Sequence, residues 1–206
     1  ISPEEKRAIA FHEAGHATVS WLTRYAAPLV KVTIVPRGQS LGAAWYLPEE
    51  RHLTTADQIK DEMCATLGGR AAEQIIFGKI STGALSDLEK VSRQAMAMVT
   101  IYGLNEKIGN ITYYDSTGQR DYGFTKPYSE KTAQIIDEEI SKIVEEQYQR
   151  ALKILSDNRD KLTRLAEMLL EREVIFKEDL IEIFGPRPFP DVEDGKEAPA
   201  SDPKAA

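Results

Sequence analysis

Apolar residues recur along this chain mostly at the spacing of an α-helix. The first helical pattern begins at Ser2, where a serine cap, a proline and Glu5 form a capping box, and it extends to about Thr23. Further helical patterns are found over 55–77, 86–103, 129–156, around the leucines at 162–170, and over 176–184. The pattern therefore predicts a mainly α-helical fold.

A two-residue alternation appears close to the first helix. Val30, Val32 and Ile34 alternate with polar residues, as on a strand with one buried face. A second β-like run, 42–47, follows the turn signal at 37–39. The two runs predict a small β-sheet or hairpin near the first helix.

The rest of the chain divides by composition. Residues 104–128 are rich in Gly, Tyr, Asp and Asn, which predicts irregular surface structure. The segment 186–206 holds five of the ten prolines together with acidic residues and alanines, too little apolar surface to offset the entropy of ordering. We expect one domain over 1–185, followed by a flexible tail over 186–206.

Charge and cysteine content exclude several classes of function. Twenty-six basic and 33 acidic side chains give a net charge of -7, and no basic cluster is present, so nucleic acid is not an expected partner. The single cysteine, Cys64, excludes an internal disulfide and a cysteine-based zinc cluster, and it fits a reducing compartment. Histidines and carboxylates remain as metal ligands.

The apolar runs do not predict a membrane span. Each is broken by charge within about ten residues, whereas a span needs about twenty. We therefore expect this piece to be soluble as given. It starts at Ile1 without an initiator methionine, which suggests a fragment whose targeting or anchoring segments are missing.

The first helix carries the sequence His-Glu-Ala-Gly-His, an HExxH motif. His12 and His16 are four residues apart, so they lie on one helical face and can bind one metal ion. Glu13 is then placed beside that ion, where it can take a proton from a bound water. Zinc is the expected metal because imidazole and carboxylate ligands suit it.

The third ligand is not determined by spacing. The class of sites with a third histidine six residues after the motif is excluded, because Val19 and Leu22 occupy its glycine and histidine positions. His52 lies in a polar stretch typical of a solvated loop. Two carboxylates remain, Glu73 and Asp87, and the first-turn position of Asp87 favours it only slightly.

Three separated blocks resemble the peptidase domain of the FtsH family, the membrane-anchored ATP-dependent zinc proteases of bacteria, mitochondria and chloroplasts. They are Ala-Phe-His-Glu-Ala-Gly-His-Ala at 10–17, Leu-Gly-Gly-Arg-Ala-Ala-Glu at 67–73 and Ser-Thr-Gly-Ala-Leu-Ser-Asp-Leu at 81–88, in the family's order and spacing. The resemblance extends over about 2–190.

The resemblance implies a set of site residues. His12, His16 and Asp87 would bind one zinc ion per chain, Glu13 would be the catalytic base, and Glu73 would have a supporting or structural role. Residues 84–86 depart from the polar pair that many relatives carry before the aspartate. The family's phosphate-binding loop is absent from this chain, so ATP would bind only to an ATPase module that is missing here.

The resemblance also implies a function. The chain would be the zinc endopeptidase domain of a protease that degrades unfolded, damaged or membrane proteins for quality control. The full-length protein would be a homo-hexamer, anchored to a membrane by a missing N-terminal segment, with its peptidase on the cytoplasmic or mitochondrial matrix side.

The run 42–47 is a candidate substrate-binding strand. Its first residues, Gly42, Ala43 and Ala44, could pair through an exposed edge with an extended peptide, although an ordinary buried strand fits the sequence equally well. Two other functions are compatible with the motif. One is a catalytically silent, zinc-stabilised assembly module, in which Glu13 has no role; the other is a hydrolase of small amides, which predicts a closed pocket.

Overall fold

The computed structural model describes residues 1–38, 40–47, 52–118 and 125–189. Seven helices and three strands are found within these ranges. In chain order they are α1 (Pro3–Trp21), β1 (Leu29–Thr33), β2 (Ala43–Tyr46), α2 (Ala56–Thr66), α3 (Gly68–Phe77), α4 (Leu85–Thr100), α5 (Glu130–Asp157), α6 (Arg159–Arg172), β3 (Val174–Phe176) and α7 (Lys177–Phe184). The predicted mainly α fold with a small sheet beside the first helix is confirmed.

Helix α1 is the element around which the others pack. The predicted capping box is present, with the Ser2 side chain accepting from the backbone N–H of Glu5. From Ala10 to Trp21 every residue is buried, because α1 contacts α2, α3, α5, α6 and both β1 and β2. The HExxH motif therefore lies in the middle of the fold, on its most enclosed helix.

The small sheet has three strands in the order β2-β1-β3, both pairs antiparallel. Its central strand departs from the predicted alternation: Leu29 is buried and Val30 is exposed. The cause is a register shift between Leu29 and Lys31, which moves one residue of the bulged strand to the other face. The third strand was not predicted, since three residues are too short to show a two-residue period.

Residues 55–77 form two helices instead of the single predicted helix. Helix α2 ends at Thr66 and α3 begins at Gly68, with Leu67 between them. At this point α3 meets α1 backbone to backbone: a Cβ on Gly15 would lie 2.3 Å from the carbonyl oxygen of Gly68. Two facing glycines allow this approach, and the helical pattern is interrupted at the point where α3 changes direction to pack against α1.

The later helices match their predicted ranges within about three residues. A short 3-10 turn, Thr82–Ala84, leads into α4. Apolar faces of α4 and α5 enclose one hydrophobic cluster with α2, and α6 packs with α1 and the sheet in the other. No helix within the described ranges combines the length and the hydropathy that a membrane crossing requires.

The chain after α7 begins with an anchored arginine. Arg187 donates to the carbonyl oxygens of Thr23 and Ala26, at 2.8 and 2.7 Å. This contact ties the start of the predicted tail, 186–206, to the loop that follows α1. Residues 190–206 of that tail lie outside the described residues, as do 119–124 of the predicted irregular segment.

Candidate metal centre

The structure brings His12, His16 and Asp87 together. The two histidines lie one turn apart on α1, and Asp87 lies in the first turn of α4. The Nε2 atoms of the histidines are 3.0 Å apart, and the Oδ2 atom of Asp87 is 3.1 Å from each of them. Within the described ranges these three residues form the one group of potential metal ligands.

This triangle of donor atoms fits a tetrahedral metal ion. Ligands placed about 2.0–2.1 Å from zinc in a tetrahedron are about 3.3 Å apart, close to the separations found here. Both histidines are 8% exposed, so the site is shielded from water on the protein side. Two imidazole nitrogens and one carboxylate oxygen are a donor set typical of zinc, with a fourth position left for water or substrate.

His16 is held by a hydrogen bond on the side away from the site. Its Nδ1 donates to the carbonyl oxygen of Ala65, at 3.0 Å. Because a carbonyl can only accept, the proton of the neutral ring is on Nδ1, and the lone pair of Nε2 points into the triangle. The C-terminal end of α2 therefore orients one of the candidate ligands.

Charges within the triangle perturb each other. Burial would lower the pKa of His16, but its hydrogen bond to Asp87 and the negative charges of Asp87 and Glu13 raise that pKa to about 9. Burial would raise the pKa of Asp87, yet its hydrogen bonds to His12 and His16 bring that pKa far below the ordinary range. Without a metal, His16 and Asp87 thus form an ion pair, and a bound dication would take the place of the positive charge on His16.

Glu13 lies beside the triangle, where a general base is expected. It is 8% exposed, and this burial raises its pKa despite the neighbouring histidines. Its side chain reaches the start of the second strand: a Cβ on Gly42 would lie 2.9 Å from Cγ and 3.1 Å from Oε1 of Glu13. A raised pKa brings a carboxylate closer to the range suited to proton transfer near neutral pH.

The other two candidate ligands lie outside the triangle. Glu73, on α3, is buried, and its Oε1 accepts from the Ser81 hydroxyl at 2.9 Å. That oxygen is 3.9 Å from Nδ1 of His12, on the side of the ring that faces away from Asp87. His52 is exposed and is not a member of the cluster.

A groove of about 1580 Å³ passes over the site. One helical face of α1, from Glu5 through Glu13 to Ser20, forms its floor, and β2 forms one wall. The three candidate substrate-binding residues, Gly42, Ala43 and Ala44, all line it. Strand β2 pairs with β1 on one side, and its other edge has no strand partner in the described part of the chain.

Several residues of the site were missed by sequence reasoning. Tyr46, at the end of β2, lines the groove, and its hydroxyl accepts from Ser20 at 3.2 Å. Ser20 lies one helical turn beyond His16 on α1. Gly69 lies against the ring of His12. The paired glycines at 68 and 69 were a visible signal, because glycine inside a helical pattern indicates a close approach.

Similarity to known proteins covers most of the chain. The model of peptidase family M41 matches residues 1–183. The chain is 64% identical over 184 residues to an ATP-dependent zinc metalloprotease FtsH of Parabacteroides distasonis, covering 89% of the chain and 27% of that protein. It is 58% identical over 183 residues to an FtsH of Karelsulcia muelleri, covering 89% of the chain and 29% of that protein.

A more distant relative comes from mitochondria. The chain is 47% identical over 189 residues to a mitochondrial inner membrane m-AAA protease component of Mus musculus, covering 92% of the chain and 23% of that protein. The chain thus spans about a quarter of the length of the curated relatives it matches.

Proposed function

This chain belongs to peptidase family M41, and from that premise we propose that it is the zinc-dependent endopeptidase domain of an ATP-dependent protease. The observation that carries the proposal is the triangle of His12, His16 and Asp87, with donor atoms 3.0–3.1 Å apart and Glu13 next to it. Such an arrangement is typical of a hydrolytic metal site with an open position.

Each residue of the site has one role in the proposed reaction. His12, His16 and Asp87 would hold the ion, and Ala65 fixes the tautomer of His16 through its carbonyl oxygen. A zinc ion held there would lower the pKa of its water and would polarise the peptide carbonyl. A carboxylate oxygen of Glu13 accepts the proton of the attacking water and later donates it to the leaving amine.

The groove supports an extended polypeptide as substrate. A peptide laid along the open edge of β2 would form main-chain hydrogen bonds with alternate residues of the segment that contains Gly42, Ala43 and Ala44, and would pass close to Glu13. Main-chain pairing selects an extended conformation more than a particular sequence. We therefore propose that the substrates are unfolded or damaged proteins, degraded for quality control.

Properties of the whole protein are inferred from its relatives. The two FtsH relatives are named ATP-dependent, and the mouse relative is named a mitochondrial inner membrane m-AAA protease component. We propose that the full-length protein has a membrane anchor and an ATPase module that binds the nucleotide, that it forms a hexamer, and that its peptidase faces the cytoplasm or the mitochondrial matrix. A silent zinc-binding module is not favoured, because such a module gives a buried Glu13 no role.

Cleavage of a labelled, permanently unfolded protein by the purified, zinc-loaded chain tests the proposal. We expect the wild type to cleave, and Glu13→Gln to bind zinc and remain folded without cleaving. Glu62→Gln is the matched control, since Glu62 also lines the groove but is paired with Lys90 at 3.0 Å on the surface. It should cleave like the wild type.

Two results would count against the proposal. Cleavage by Glu13→Gln at the wild-type rate would remove Glu13 from the reaction. Absence of cleavage by the folded, zinc-loaded wild type would favour the assembly module.

A further inference from the structure

The backbone of α3 lies directly against one of the candidate metal ligands. A Cβ built on Gly69 would lie 2.5 Å from Nε2 and 2.6 Å from both Cδ2 and Cε1 of His12. The two carbons flank Nε2 in the ring, so three nearly equal distances place that Cβ over the ring face and not ahead of its edge. Side-chain Cβ atoms essentially never approach a neighbour closer than 3.0 Å, so any residue other than glycine would require the His12 ring to leave this position.

We infer that Gly69 is a positioning residue for the metal centre: its bare Cα carbon lets α3 lie flat against His12 and fixes the plane of that imidazole. The inference rests on the proposed zinc site. It concerns the orientation of the His12 ring before the metal binds. Nε2, the atom under Gly69, is the same atom that faces His16 and Asp87 at 3.0 and 3.1 Å.

The two histidines are held in different ways, which explains why His12 needs this contact. His16 has a hydrogen bond behind its ring, from Nδ1 to the Ala65 carbonyl. For Nδ1 of His12, the charged partner found in the described ranges is Glu73, whose Oε1 is 3.9 Å away, beyond hydrogen-bond distance. Packing against Gly69 therefore does for His12 what a hydrogen bond does for His16.

The neighbouring glycine provides a natural contrast. A Cβ on Gly68 would lie 2.7 Å from the carbonyl oxygen of Gly15, which is backbone of α1. A methyl group at 68 must therefore push two helices apart. A methyl group at 69 meets only side-chain atoms of His12, so a rotation of that ring, without movement of the backbone, would accommodate it.

The two substitutions should consequently fail in different ways. In Gly69→Ala we expect the zinc affinity to fall by about 10- to 100-fold, the range found when a residue that orients a metal ligand is lost. The thermal unfolding temperature of the zinc-free chain should not fall, because alanine favours a helix more than glycine does. In Gly68→Ala the zinc-free chain itself should unfold at a lower temperature.

The experiment measures both quantities on the wild type, Gly69→Ala and Gly68→Ala. Zinc affinity is determined by competition with a chromophoric chelator, and unfolding is followed by circular dichroism in the presence of a strong chelator. Imidazole nitrogen resonances from NMR give a third readout, in which the signals of His12 should shift more than those of the neighbouring His16 in zinc-free Gly69→Ala.

The outcomes separate this inference from the proposed function. Wild-type zinc affinity in Gly69→Ala would overturn the inference alone, as would a loss of affinity that merely follows a loss of zinc-free stability. A wild-type chain that binds no zinc would contradict the proposed function, and the inference with it. Lost affinity with preserved zinc-free stability and a shifted His12 signal would support the positioning role.

Discussion

The choice between the two candidate carboxylates can be decided by two substitutions of matched shape. Asp87→Asn and Glu73→Gln each remove one negative charge and leave the side-chain volume almost unchanged. Asp87 has Oδ2 at 3.1 Å from the Nε2 atoms of both histidines. Glu73 is 3.9 Å from Nδ1 of His12, at the back of the ring. Asp87→Asn should therefore remove a metal ligand, whereas Glu73→Gln should change only the electrostatic surroundings of the ligand His12.

The two effects should differ in size. Four-ligand zinc sites bind with about 10–16 kcal/mol, about 3 kcal/mol per ligand, so the loss of one ligand lowers the affinity on the order of 100-fold or more. A carboxylate that is hydrogen-bonded to a ligating histidine raises the metal affinity by about 10- to 100-fold. Because Glu73 is beyond hydrogen-bond distance, we expect about 10-fold or less for Glu73→Gln.

Competition titration against a chelator of known affinity measures both variants in one series. Circular dichroism of the zinc-free proteins is the control, since a variant that does not fold gives no information on ligation. A larger loss of affinity in Glu73→Gln than in Asp87→Asn would refute the assignment and would make Glu73 the third ligand.

Three further predictions concern stability. Glu173, the residue after α6, has φ +65, so Glu173→Gly should raise the free energy of unfolding by about 1 kcal/mol. Glu171→Gly, within α6, should lower it by about 1 kcal/mol. Urea unfolding measures both variants, and changes of the same sign would contradict backbone strain at Glu173. Arg187→Ala loses two short hydrogen bonds to backbone carbonyls and should lower the free energy of unfolding by about 2–3 kcal/mol in the same assay. An unchanged urea midpoint would show that these hydrogen bonds do not stabilise the fold. In zinc-free protein the pKa of His16 is raised to about 9 from 6.5, so its stabilising contribution is complete below about pH 6.5 and is lost as the pH rises through 9. The unfolding temperature should fall over that interval, and a constant or rising one would contradict the ion pair.

Local signals in the sequence were sufficient for much of the fold. The capping box of Ser2 and Glu5 marked the start of α1, and the spacing of His12 and His16 indicated the candidate metal-binding face without knowledge of any contact. Such features depend on residues within one or two helical turns. The chain therefore encodes them locally. The resemblance to the FtsH family, now confirmed by the family match, likewise rested on short blocks of sequence, at 10–17, 67–73 and 81–88.

Features created by contacts between distant elements could not be found in this way. The choice between Glu73 and Asp87 depends on where the tertiary fold places α3 and the first turn of α4 relative to α1, and spacing along the chain contains no information on that. The same applies to the break at Leu67, which follows from the Gly15–Gly68 approach. Strand β3 has no periodicity of its own and exists because β1 offers it an edge.

That third strand has a consequence for when the protein can fold during its synthesis. The Thr33 hydroxyl and the Ile34 amide both donate to the carbonyl oxygen of Glu173, and Thr33 and Glu173 are 140 residues apart. At about 5–20 residues per second, a ribosome needs on the order of ten seconds to cover that distance. During this interval the nascent chain already carries His12 and His16, but the sheet beside them is incomplete. The sheet beside the candidate metal centre therefore becomes complete only when translation of the domain is almost finished.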